Sequence, residues 1–62
     1  MAEFGNSFRS ARESRGLTIA EIAQETRISS RFLRAIEAEA FEELPGGVFS
    51  RSFIRTYASE VG

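Results

Sequence analysis

Cysteine, histidine, aspartate, lysine and tryptophan are all missing from this 62-residue chain. Without cysteine and histidine there is no disulfide framework and no zinc site. Without histidine, aspartate and lysine, the Ser-His-Asp, Cys-His and lysine-nucleophile routes of catalysis are closed. Every acid is Glu and every base is Arg, nine against eight, for a net charge of −1. A pair of glutamates could serve acid–base chemistry, but these fall at helical-surface spacings with no cleft-forming chain around them. The sequence therefore reads as a non-enzyme that carries no cofactor and no metal. Long apolar runs are lacking too: none approaches the ~20 residues of a membrane span, and no signal peptide opens the chain. The absent cysteines fit a reducing, cytoplasmic location. The near-neutral charge argues against broad nucleic-acid affinity, which needs many unopposed cations.

What remains is an ordinary globular balance, 42% hydrophobic and 27% charged, in one domain spanning residues 1–62 near the lower size limit for independent folding. Glycines 5, 16, 46, 47 and 62 and the single Pro45 punctuate helical stretches. Phe4, Phe8 and Ala11 share a helical face over Phe4–Arg15, with Asn6 or Ser7 as its cap and Gly16 as its stop. Thr18 and Glu21 form a capping box for a second helix ending near Thr26. Ser29 or Ser30 opens a third, with Phe32, Leu33, Ile36 and Ala40 inward and Arg31, Arg34 and Glu37 outward. An acidic joint follows (Glu37, Glu39, Glu42, Glu43), anchored by Phe41 and Leu44; it reads as a solvated joint, with a docking patch for a basic partner surface as the alternative. Pro45-Gly46-Gly47 then turns the chain into a last helix, about Val48–Val61, striped by Phe53, Ile54, Tyr57, Ala58 and Val61. No alternating β-branched run exists, so the expectation is a small all-α bundle of four helices.

Leu17–Ile36 carries the most specific pattern. Ala23 is small where two helices cross closely, while Ile28, Leu33 and Ile36 plug the interhelical angle. This predicts a helix-turn-helix of the phage-repressor kind. Arg27 then falls where the turn needs a left-handed residue, at a cost of ~1 kcal/mol.

Three segments extend the likeness: ARESRGLTIAEIA at 11–23, FEELPGGVF at 41–49 and RSFIRTYA at 51–58. From Phe4 to Gly62 the chain resembles the N-terminal cytoplasmic domain of the RodZ family of bacterial cell-shape proteins. In that family a fifth short helix, a linker, one membrane span and an extracytoplasmic domain follow. On this resemblance the chain is expected to be an excised domain of a protein anchored in the inner membrane. The resemblance implies an adaptor that docks on MreB, the actin-like filament protein, through two aromatics one turn apart on the fourth helix. Those positions are Phe49 and Phe53 here, phenylalanine where other members can carry tyrosine; physically, their edge is expected to insert into an apolar groove, with Arg51 and Arg55 giving orientation through acidic groups on the filament.

Periodicity alone favours the core for Phe49 and more so for Phe53; the resemblance moves both toward an interface, where aromatics beside arginine are common. A rival reading is a sequence-specific DNA-binding regulator using Ser29, Ser30, Arg31 and Arg34. Against it, repressors of this shape commonly open the second helix with Gln, which steadies the DNA backbone, and Ile19 cannot. The plain reading of Arg31 and Arg34 is a solvated face paired with Glu37. A third possibility is a dimerising module whose apolar edge pairs with itself.

Overall fold

In a computed structural model that describes residues 3–62, four α-helices follow one another: α1 (Glu3–Ser14), α2 (Ile19–Thr26), α3 (Ser30–Ala38) and α4 (Gly47–Val61). A single 3₁₀ turn, Phe41–Glu43, lies between α3 and α4. No strand occurs among the described residues. The expected all-α helix-turn-helix bundle is what the chain forms.

Local chemistry sets most boundaries. α1 ends in a Schellman motif: Leu17 N–H donates to the Arg12 carbonyl at 3.1 Å and Gly16 N–H to the Glu13 carbonyl at 2.9 Å, with Gly16 at φ +69°. The Thr18–Glu21 capping box is complete, each side chain accepting the other residue's backbone N–H. Arg27 does sit in the left-handed region at φ +65°, and its N–H donates to the Ala23 carbonyl. Ser29, rather than Ser30, caps α3.

The start of α1 differs from expectation. The helix already runs from Glu3, so Asn6 and Ser7 lie inside it, and the Ser7 hydroxyl donates to the Glu3 carbonyl. The cap comes instead from across the fold, where Gly5 N–H donates to Glu39 Oε2 at 2.8 Å. Gly5 is buried, and a Cβ there would collide with the Glu37 backbone carbonyl. Glycine is thus what lets α1 lie on the end of α3.

Phe8, Ile22, Ile28, Leu33, Ala35, Ile36, Leu44, Tyr57 and Val61 form the core. The α3 face is displaced from expectation: Ala35 and Glu37 are buried, Phe32 is half-buried, and Ala40 lies beyond the helix, after the left-handed Glu39. Helix α3 packs against both α1 and α2, which widens its buried arc past a single stripe. On α4 the expected stripe holds at Tyr57 and Val61, with Phe53 and Ile54 half-buried, but Ala58 is exposed.

The acidic joint is likewise not uniformly solvated. Glu42 and Glu43 are exposed and Glu39 is partly covered, whereas Glu37 is only 6% exposed. The outward placement of Glu37, and its pairing with Arg34 or Arg31, are therefore overturned.

Candidate partner-binding site

Helix α4 has two halves with different duties. Its C-terminal half is locked into the core. Tyr57 is fully buried, its ring 4.8 Å from that of Phe8, and its hydroxyl donates to Glu37. Arg15 Nε donates to the Val61 carbonyl at 2.8 Å, placing a cation on the C-terminal end of the helix dipole.

Glu37 is the hub of this lock. Arg12 Nε donates to its Oε2 at 2.8 Å and Arg12 Nη2 to its Oε1 at 3.3 Å, while Arg9 Nε reaches Oε1 at 3.4 Å. Arg12 Nη1 also donates to the Leu17 carbonyl at 3.0 Å. One guanidinium thus ties α1, the end of its Schellman loop and α3. Burial pushes the Glu37 carboxyl up, but donation from Arg12 and Tyr57, the Arg12 charge and Arg9 outweigh it, and the net shift is down. Tyr57 is shifted up, first by burial and then by its bond to the carboxylate. The Arg12 guanidinium is held more firmly protonated by its bond to Glu37, against the opposing effect of burial. Among the described residues no buried side-chain nitrogen or oxygen is left without a partner.

The N-terminal half of α4 projects outward. Val48 is 71% exposed and Phe49 62%. Arg51 and Arg55, one turn apart, line a shallow depression with Val48 and Ser52, and the helix carries no acid before Glu60. Phe49 does not line this depression; at about 100° per residue it lies on another side of α4 from both arginines. The core placement favoured for Phe49 by periodicity is overturned, because among the described residues no other element covers its side chain. Phe53 behaves otherwise: it is half-buried, its ring stacked on Phe32 at a centroid distance of 5.6 Å and 21°. Three of the four residues singled out on α4 (Phe49, Arg51 and Arg55) are therefore exposed, with Phe49 above the half-buried Phe53 and the two arginines on another side of the helix. Val48 shares the arginine-lined depression and was not singled out from the sequence; the Gly46-Gly47 break just before it was the available signal.

On α3 the Ser29 hydroxyl accepts the Arg31 N–H at 3.3 Å, so it serves the cap. Ser30 is half-buried as the first residue of α3. Arg31 and Arg34 are exposed and border a depression floored by Ala35, Ala38 and Ala40. Glu43 stands in the same depression, 3.9 Å from Arg31.

An α2–α3 pair joined through a left-handed residue and plugged by Ile28 defines a helix-turn-helix domain. The chain belongs to that family: the family model described as a helix-turn-helix domain matches residues 7–62. The curated relative is more particular. It is the cytoskeleton protein RodZ of Streptococcus pneumoniae, 39% identical over 54 residues, which cover 87% of this chain and 20% of the relative. This is thus a RodZ-like helix-turn-helix domain that spans about a fifth of the length of the relative it matches. Neither the family's description nor the relative's name denotes an enzyme. No solved structure matches the chain. Among the described residues no helix is long and apolar enough to cross a membrane.

Proposed function

We propose that this domain is a cytoskeletal adaptor in bacterial cell-shape control. It binds an actin-like filament protein of the MreB type and links it to the membrane through an anchor outside these 62 residues. The supporting observation is the exposed Phe49, 62% open to solvent, on a helix that carries no acid before Glu60 and exposes Arg51 and Arg55 on another side. The similarity to a protein named for the cytoskeleton supports the same reading. Phe49, with Val48, inserts into an apolar groove of the filament, and the two arginines set orientation by pairing with carboxylates at its rim. Phe53 holds the α4 backbone in place through Phe32. Replacing Arg51 and Arg55 together by Glu tests the electrostatic part. Filament binding should then fall sharply at low salt while the circular-dichroism spectrum stays helical; unchanged binding would exclude these arginines from the contact.

The DNA reading keeps one observation in its favour: Arg31 and Arg34 share the open face of α3. Against it stand Ser29, used as a cap, Glu43 among the arginines, and the apolar Ile19 opening α2. Arg31→Ala and Arg34→Ala should matter only if DNA is bound, and then with a steep salt dependence. A gel shift at two salt concentrations separates the readings.

A further inference from the structure

A second exposed aromatic group lies away from the α4 face, where α1 begins and the 3₁₀ turn passes. Phe4 is 46% and Phe41 42% exposed, and their rings meet edge to face with centroids 5.9 Å apart. Behind them Phe4 packs on Phe8 at 5.0 Å, and Phe8 on the buried Tyr57. The pair is thus the outer end of an aromatic ladder rooted in the core. The backbone beneath it is fixed as well. Gly5 lies against the Glu37 carbonyl, and its N–H is held by Glu39, a left-handed residue at φ +58°. Two half-exposed rings on such a rigid base lose little conformational entropy when something covers them.

The charge around them has one dominant sign. Glu3 is next to Phe4, and Glu42 and Glu43 follow Phe41. Glu43 has Arg31 at 3.9 Å, whereas Glu42 has no ion pair among the described residues. The negative end of the α3 dipole, at Ala38, is countered by the positive end of α1, which begins at Glu3 beside Phe4. Ring faces and carboxylates attract cations and repel anions. The α4 face has the opposite character, so the two surfaces select different partners.

We propose that the Phe4–Phe41 patch, rimmed by Glu3 and Glu42, is a second docking surface that binds an arginine- or lysine-bearing peptide segment. Its guanidinium or ammonium group lies on the rings, with the carboxylates as counter-charges. The inference rests on residues that the α4 reading does not use, so either can fail alone.

The test is a titration of the ¹⁵N-labelled 62-residue chain with a capped Gly-Arg-Gly-Arg-Gly peptide, with its glutamate counterpart as control. Saturable shifts of the amides at 3–5 and 40–43 are expected with the arginine peptide only. Phe41→Ala, a change at an exposed ring that leaves the core intact, should weaken binding about fivefold or more. Glu42→Gln should weaken it less. The proposal is overturned if the shifts spread equally over Glu21, Glu25 and Glu60, if they persist unchanged in a folded Phe41→Ala, or if none saturates at millimolar peptide.

Discussion

Phe49 and Phe53 are the same residue one turn apart, and their surroundings separate them. Phe49 points into solvent, so Phe49→Ala should alter stability by no more than about 0.5 kcal/mol in urea unfolding. Phe53 is stacked on Phe32, and Phe53→Ala should cost roughly half of the ~3–5 kcal/mol of a fully buried ring. Equal costs for the two would contradict this division of α4. Glu37 is the other decisive residue. Removing one partner of a buried pair typically costs ~3–5 kcal/mol, a large share of the ~3–9 kcal/mol usual for a chain of this size. Glu37→Ala should therefore lower the urea midpoint and the melting temperature more than any other substitution named here, with circular dichroism as the readout. Tyr57→Phe deletes one bond to the carboxylate and should cost about 1.5–3 kcal/mol. The lock was partly legible in the sequence. Glu37 follows Leu33 and Ile36 at i+4 and i+1, and Arg12 follows Phe8 and Ala11 in the same way, so both occupy inward registers. A charge in an inward register, matched by the opposite charge on another helix, is the signature of a buried pair. Reading Glu37 as outward hid it.

At the scale of elements, the boundaries that depend on neighbouring residues were the readable ones. The capping box at Thr18, the Gly16 stop and the left-handed Arg27 follow from local chemistry, and each lies where the sequence puts it. The start of α1 was not readable, because its cap is a carboxylate 34 residues away in the chain. The buried arc of α3 was misjudged for a similar reason, since two helices press on it and not one. Gly5 gives a test with an inverted sign. Helix propensity alone would have Gly5→Ala stabilise α1 by ~1 kcal/mol. The contact with the Glu37 carbonyl instead predicts a loss of about 1–3 kcal/mol and a lower melting temperature. A stabilised Gly5→Ala would mean that α1 and α3 do not approach as described.

For the whole molecule, the Glu37 lock sets how stability varies with pH. Its carboxyl is depressed in the fold, so below the ordinary value of 4.5 the unfolded chain binds the proton first. Stability present above that value is then lost as pH falls through the folded value. Tyr57 is raised, so above pH 10.0 the unfolded ring ionises before the folded one and stability declines again. Urea midpoints measured across the pH range should form a plateau that falls on both sides, and Tyr57→Phe should flatten the alkaline limb. The same lock fixes the end of α4 and leaves Val48, Phe49, Arg51 and Arg55 exposed for the proposed contact. That face was legible only in part. Periodicity marked Phe49 as apolar but could not show that no other element covers it. The most direct measurement is co-sedimentation of the domain and its Phe49→Ala variant with polymerised MreB from the same organism. The account predicts that the parent domain pellets with filaments and that the folded variant stays largely in the supernatant. Equal pelleting of the two would remove Phe49 from the contact and contradict the proposed use of α4.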